Sequence, residues 1–469
     1  MAKGRPGRLA RTFSADLRPL RQSVAFRRFW LAEGIGLTGT QVVLTTALLE
    51  IYADTDSAFA VGLTGAATFV PLLVFGIVGG AVADAFDRRV VVLFTSAGMA
   101  LTPALLTLQA VVDAPVGVLF GLMGLQAALS AIDAPARQTF AARLLPADQL
   151  PAVGALEGVT TTVAMTGGPL LAGVLVAGAG YGTSYAVVVV SYAAIFAATW
   201  LLPPMRPEGG GTHAGLRSVV DGLRFLRGRP VLAMTFLVDI NAMLFGMPRV
   251  LFAVLAVEQF HGGPRTTGLL YAAMAIGGTI VAVTGGWLSR VSRQGLVVAV
   301  SIAVWGAAIA LSGLVGTLPL ALLLLAVAGG ADTVSAVLRT TILRVAAPDA
   351  VRGRMAGLFM VTVTAGPSLG DLESGLVAGF TSAQFSVVAG GVACLVGLAV
   401  LLAAMPSFLR YRGTEPAEPT GPAEPTGPAE PTEPADSAGD ADSFGMSVGM
   451  SAHIPGEVAT GAGPARTGG

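Results

Sequence analysis

Apolar residues in this chain of 469 residues follow neither the two-residue alternation of a half-buried strand nor the narrow stripe of a surface helix. They come in continuous runs of about 20 residues, the length at which a helix crosses the hydrocarbon of a bilayer. Twelve such runs fall near 29–52, 60–83, 90–112, 116–138, 154–178, 181–202, 231–256, 266–289, 295–314, 317–338, 355–379 and 384–406. The short stretches between them hold most of the charge, and they alternate in kind. Arg88/Arg89, Arg137/Arg143, Arg206 to Arg229, Arg290/Arg293, Arg339 to Arg354 and Arg410/Arg412 all fall on one side. Asp54, Asp56, Asp113, Glu258, His261 and Arg265 fall on the other. The arginine side is the cytoplasmic one, which places both termini there. Trp30, Trp200 and Trp287 stand at span ends on that side, as interfacial anchors do.

Composition agrees with a chain built for lipid. Hydrophobic residues make up 54% and charged residues 12%, a balance that no soluble domain needs. The net charge is zero, but eight of the 28 basic residues precede the first apolar run (Lys3 to Arg28). That arm reads as a topogenic signal and not as a nucleic-acid contact. One cysteine, Cys394, excludes a disulfide framework within the chain. Three scattered histidines (His213, His261, His453) offer no metal site. No H-E-x-x-H or G-x-x-x-x-G-K-[ST] occurs. Catalytic residues, a bound metal and a cofactor are therefore not expected, and the protein is not expected to be an enzyme.

The chain repeats itself. Val61-Gly62-Leu63 recurs as Thr267-Gly268-Leu269 and Gly79-Gly80 as Gly285-Gly286, both 206 residues on. Asp148 after Pro146 matches Asp349 after Pro348, and Gly168-Pro169 matches Gly366-Pro367, at offsets near 200. Two six-helix halves follow, at 29–202 and 231–408. Residues 203–230 link them; Leu216, Val219, Val220, Leu223 and Leu226 form an apolar stripe there, as in a surface amphipathic helix. The arm occupies 1–28. From 409 the chain becomes Pro-Ala-Glu-Pro-Thr-Gly repeats and then a Gly/Ser/Ala/Asp stretch, too poor in apolar surface to fold.

Between the second and third runs stands Gly79-Gly80-Ala81-Val82-Ala83-Asp84-Ala85-Phe86-Asp87-Arg88-Arg89. Gly80 permits close helix approach, Asp84 can cap exposed N–H groups, and Arg88 and Arg89 hold the turn in the cytoplasm. This order resembles the loop signature of the major facilitator superfamily, with Asp87 where that signature often has glycine. In the fifth run, Gly158, Gly167, Gly168, Pro169 and Gly173 imply close packing with a kink, and they resemble the superfamily's exporter-associated motif, with Ala164 in a glycine's place. Asp133-Ala134-Pro135-Ala136-Arg137-Gln138 followed by Leu145-Pro146 resembles a bacterial exporter branch that includes siderophore and macrolide efflux proteins.

A charge at the bilayer centre costs about 2.5–3.5 kcal/mol on insertion scales, so each one needs a reason. Spans 3, 6, 9 and 12 carry none short of their ends. Span 1 has Glu33 and Glu50, span 4 Asp133, span 5 Glu157, span 7 Asp239 and Arg249, span 10 Asp332, and span 11 Asp371 and Glu373. Spans 1, 4, 7 and 10 resemble the superfamily's cavity-lining set. Asp239 lies nine residues, roughly 13 Å, into its span, and Asp332 seven residues, roughly 10 Å, from its span's end. Burial disfavours a charged carboxyl, so Asp239, Asp332 and Asp133 are candidates for gaining and losing a proton. Glu33 and Glu157 are shallower and are expected to pair with loop arginines. Arg249 stands out as the deep arginine, with Glu50, Asp371 and Glu373 as expected partners in a gate or cargo contact.

The expected protein is all-α and integral to the membrane, with twelve transmembrane helices in two six-helix bundles. The resemblance implies a secondary exporter of the bacterial plasma membrane that exchanges protons for a siderophore-like or other secreted metabolite, or alternatively for macrolide-type drugs. Its partners would be lipid, protons and a small-molecule cargo, with no nucleic acid, and it would act as a monomer.

Overall fold

A computed structural model describes residues 17–205, 224–347 and 349–413. The amphipathic stripe at 216–226 lies almost wholly outside these residues, as do most of the basic arm and the Pro/Glu-rich tail. Every regular element among the described residues is helical. In chain order they are α1 (Arg18–Gln22), α2 (Val24–Thr55), α3 (Ala58–Ala85), α4 (Arg88–Val112), α5 (Val116–Gln138), α6 (Phe140–Leu144) and α7 (Leu150–Trp200). After the linker come α8 (Pro230–Phe245), α9 (Phe252–Glu258), α10 (Pro264–Thr284), α11 (Gln294–Leu314), α12 (Leu318–Ala346), α13 (Asp349–Phe380), α14 (Ala383–Ala404) and α15 (Ser407–Arg410).

Ten helical stretches among the described residues are long and apolar enough to cross a membrane. The difference from the twelve expected runs has two sources. α7 covers both the fifth and sixth runs without a loop, interrupted only at Gly180, whose φ of 80° and ψ of 176° suit glycine alone. α13 is diluted by Gly366, Pro367, Gly370, Asp371 and Glu373. The seventh run is also not one helix. α8 stops at Phe245, and Gly246-Met247-Pro248 leads into a 3₁₀ turn at Arg249–Leu251 before α9 resumes. Pro248 lacks the N–H that a continuous helix would use and would crowd the carbonyl four residues back.

Helix starts are fixed locally. Ser23, Ser57 and Ser382 accept hydrogen bonds from the N–H groups of Phe26, Ala60 and Phe385 at 3.1, 3.3 and 3.1 Å. Asp56 and Asp113 close α2 and α4 in the left-handed conformation that aspartate tolerates. Large apolar side chains left exposed, among them Phe94, Val111, Val190 and Val283, form the surface expected of a bundle bathed in acyl chains.

Packing repeats along the chain. α3 lies on α5 as α10 lies on α12, and α2 lies on α7 as α8 lies on α13. Two further contacts join early helices to late ones, α3 with α13 and α7 with α10. Both depend on glycine. A Cβ on Gly62 would strike the backbone of Gly375, and one on Gly268 would meet the Pro169 carbonyl oxygen at 2.8 Å. Gly173 touches the backbone of Pro264 on the same crossing. Small residues let backbones approach where lipid provides no hydrophobic drive for association. All these crossings lie near the helix ends that carry Asp56 and His261. Toward the opposite ends, an apolar gap of about 600 Å³ opens between Thr162–Gly167 of α7 and Ile276–Thr284 of α10.

Gly62→Leu should therefore force the α3–α13 crossing apart, costing about 1–3 kcal/mol as an overpacking change. Gly80→Leu, at a glycine whose added Cβ would meet open space, should be neutral by comparison. Thermal unfolding of the two variants in detergent checks the contrast.

Candidate transport site

One turn of α5 carries both Asp133 and Arg137, and spacing alone brings them together. The Arg137 Nε donates to Asp133 at 2.5 Å, and the Thr95 hydroxyl donates to the other Asp133 oxygen at 2.6 Å. Arg137 also lies 6.0 Å from the Phe29 ring centre. Glu33 of α2 and Glu157 of α7 converge on the same point, and a cavity of about 450 Å³ opens there, lined by Glu33, Thr40, Asp133, Arg137, Glu157 and Tyr192 among others. Its volume is that of a small-ligand site. Tyr192 is fixed at its back by Thr40 and by the Gln126 amide, each at 2.7 Å. Glu33 and Glu157 were expected to meet loop arginines. Both line that cavity, and Glu33 lies in the field of Arg137, one of those arginines, which α5 carries in its last turn. Glu33 and Asp133 thus share one arginine, which Asp133 already engages, and Glu157 lines the same cavity.

Asp239 of α8 is 1% exposed and holds the Arg339 guanidinium in a buried ion pair. A second guanidinium nitrogen of Arg339 stands 4.0 Å from Asp332, whose side chain keeps 34% of its surface exposed. Two of the proposed proton acids are therefore joined through a residue that the sequence reading places in a loop. The tenth run ends at 338 because Arg339 is charged, whereas α12 continues to Ala346 and buries Arg339 to 3%. Arg249 is consequently not the only arginine within the helical body. The signal for Arg339 was present in the i, i+7 spacing from Asp332, which sets both on one face.

The cluster expected around Arg249 is only partly assembled. Arg249 sits in the 3₁₀ turn after Pro248 and faces Asp371, which also accepts from the Val250 N–H. The Arg249 Nε and one Asp371 oxygen are buried without a hydrogen bond, so the pair is adjacent but not closed. Its carbonyl accepts from Tyr271 at 2.8 Å. Glu50 is elsewhere, accepting from the Tyr185 hydroxyl at 2.6 Å. Glu373 makes no hydrogen bond or ion pair among the described residues. A contact across the two halves that the sequence did not reveal joins the Tyr52 hydroxyl to Glu258 at 3.0 Å.

The loop motif works with different members from those expected. Gly79, not Gly80, lies against the backbone of α5, where an added Cβ would come within 2.8 Å of the Ile132 Cα. Asp84 is exposed and unbonded among the described residues. Asp87 does the capping, accepting from the N–H groups of Arg89 at 2.9 Å and Met205 at 3.0 Å. Arg88 donates its backbone N–H to the Met205 carbonyl at 3.1 Å. Arg89 donates to the carbonyls of Thr199 and Trp200 at 3.3 and 2.5 Å, where a helix end favours a cation. In the α7 motif, an added Cβ on Gly168 would come within 3.1 Å of the Thr38 carbonyl oxygen of α2 and one on Gly173 would strike Pro264, while a Cβ on Gly158 or Gly167 would meet open space and Pro169 receives Gly268.

A repeated bundle of long apolar helices with paired charges in its interior is a fold shared with solved membrane transporters. A bacterial homolog of the human lysosomal transporter Spinster, inward-facing and occupied, superposes with a TM-score of 0.65 at 16% identity, over 84% of this chain and 98% of that one. The nucleoside transporter NupG gives 0.63 at 16% identity, over 82% and 98%. The chain belongs to the transmembrane secretion effector family of the major facilitator superfamily, whose profile matches residues 14–417. Similar proteins include the enterobactin exporter EntS of Citrobacter koseri, 28% identical over 407 residues, covering 86% of this chain and 96% of that protein. EntS of Escherichia coli O81 is 27% identical over 406 residues, with the same coverage.

Removing Arg339 should leave Asp239 buried without its partner. Arg339→Ala should cost about 3–5 kcal/mol, and adding Asp239→Asn should recover much of that. Asp87→Ala should lose about 1 kcal/mol as a lost cap, while Asp84→Ala should stay within about 0.5 kcal/mol. Folded yield and thermal unfolding of purified protein measure both comparisons.

Proposed function

We propose that this protein is a secondary exporter of the bacterial plasma membrane, a monomer that exchanges protons for a small secreted metabolite by alternating access. The observation that carries this reading is the shortage of cations at the internal sites. Glu33, Asp133 and Glu157 surround Arg137, and Asp239 and Asp332 share Arg339. A carboxylate left without a counter-ion in a low-dielectric site takes up a proton or a cationic ligand. Alternate loading by one and the other is the essence of antiport.

In this reading α7 crosses twice, on either side of Gly180, α13 crosses once despite its acids, and twelve crossings in two six-helix bundles put both termini in the cytoplasm. The closed glycine crossings then face outward, and the cavity beside Arg137 opens inward to receive cargo. Asp239, Asp332 and Asp133 serve proton coupling, Asp239 and Asp133 by holding the arginines and Asp332 by exchanging the proton. Arg249 and Asp371, adjacent but unpaired here, would close when the bundles rock. Cargo of the siderophore type follows from the similarity to enterobactin exporters. A second reading, export of amphipathic amine drugs such as macrolides, draws on the acid excess of the cavity wall, which suits a cation.

Cells lacking the protein, and cells overproducing it, should be compared under iron limitation for retention of labelled catecholate siderophore and of a macrolide, with and without a protonophore. Siderophore retained by the deletion strain and released only when Asp332 is intact supports the primary reading. Protonophore-sensitive loss of macrolide alone selects the second. If neither compound moves and the protonophore changes nothing, proton-driven export of these classes is wrong.

A further inference from the structure

Arg137 and Arg339 occupy equivalent places in the two repeats, 202 residues apart, the offset that also relates Pro146 to Pro348. Glu33 and Asp239 are equivalent too, 206 apart, like Gly62 and Gly268. The third member of each cluster has moved. One turn before the arginine, α5 carries Asp133 where α12 carries Ser335; two turns before it, α5 carries Ser130 where α12 carries Asp332. Acid and serine have exchanged positions between the halves.

That exchange decides which acid the arginine takes. Four residues of helix rise about 6 Å and seven about 10 Å, so a carboxylate one turn away is met closely, whereas Arg339 meets one two turns away only at 4.0 Å. In α5 the near acid captures Arg137, and Glu33 on the neighbouring helix is left without a hydrogen bond among the described residues. In α12 the near position is an uncharged serine, whose hydroxyl is itself buried without a partner. Arg339 therefore turns to Asp239 on α8, and Asp332 stays 4.0 Å off.

The freed acid also points the right way. At about 100° per residue, Asp332, Ser335 and Arg339 project from one side of α12, while the exposed Leu323, Val327 and Val337 project from the other. Its remaining exposure is thus directed away from the lipid-facing side. The charged groups that face it are Arg339 on its own helix, Asp239 on α8 and Arg249 in the 3₁₀ turn. α11, packed on the same helix, has no ionisable residue, and α10 has only Arg265 and Tyr271, both more than a turn nearer its start than Gly278, which lies beside Thr333.

We propose that Arg339 is a positioning residue: by occupying Asp239 it leaves Asp332 as the acid of the carboxyl-terminal half that exchanges a proton with water, the part that Glu33 plays beside Arg137 in the amino-terminal half. This rests on the antiport reading above. In each cycle the Asp332 O–H would break with its proton passing to water at its exposed edge, leaving the carboxylate, and would re-form from the other side.

Infrared difference spectra of the full chain reconstituted in lipid, taken between two pH values, read protonated carboxyl groups without knowledge of the cargo. Wild type should show carboxylic C=O intensity that disappears as pH rises, and Asp332→Asn should lose one component of it. Ser335→Asp restores to α12 the spacing found in α5, so it should draw Arg339 from Asp239 and add a component that the Ser335→Asp/Asp239→Asn double variant lacks. Arg339→Lys, which keeps a cation and so keeps the fold, should retain the Asp332 component with a shifted midpoint. A spectrum unchanged by Asp332→Asn overturns the assignment, and no new component in Ser335→Asp overturns the role of Arg339. A wild-type spectrum with no pH-dependent carboxyl at all would remove the antiport reading itself, a result distinct from either.

Discussion

Charge balance inside a lipid-embedded bundle is the constraint on which the rest of this structure depends. Each bare charge there costs a few kcal/mol, and an ion pair is tolerated because its members spare one another solvation. Here the pairs are Asp133 with Arg137 and Asp239 with Arg339, and each arginine has a further acid within its field. The helices bearing them must turn those faces inward, so α5 and α12 leave Leu125, Leu323 and Val327 exposed and bury Gln126, Asp133, Ser335 and Arg339. Thr95, Tyr192 and Gln126 then find their places as hydrogen-bonding support for one side of the cavity.

The packing that permits this is made largely by absence of side chains. Between α3 and α13, between α7 and α10, and between α10 and α12, glycines bring backbone against backbone. Each half uses the same pairs of helices, so a single set of contacts, duplicated, supplies most of the bundle. The loop between α3 and α4 joins this frame to the end of α7 through Asp87, Arg88 and Arg89. That corner of the bundle is thereby tied by hydrogen bonds where apolar burial has little to offer.

Much of this was legible along the chain. Long apolar runs and arginine-rich loops gave the helical membrane class, and the 206-residue offset gave the repeat. Of the acids singled out by depth, Asp239 and Asp133 are buried while Asp332 keeps 34% of its side chain exposed, and Glu50 is buried as well. What escaped has physical reasons. Arg339 was read as a loop residue because hydropathy ends a span at a charge, although a helix continues wherever the charge has a partner. The break at Gly246-Met247-Pro248 was overlooked inside a strongly apolar window, though glycine followed by proline is a breaker signal. Asp84 was preferred to Asp87 on motif position, whereas capping depends on which side chain reaches a free N–H. Gly158 and Gly80 were grouped with packing glycines that sequence alone could not separate from them, since only the neighbouring helix decides.

The glycine crossings have a mechanical corollary. Where two backbones touch with no side chain between them, no flexible arm can stretch to keep contact as they part. Dispersion attraction falls by a quarter to a half over a radial gap of 0.5–1 Å. The seam formed by Gly62 with Gly375 and by Gly268 with Pro169 is thus brittle: it holds at full strength or scarcely at all, and the two sides of the molecule meet in the manner of a snap fastener rather than a spring.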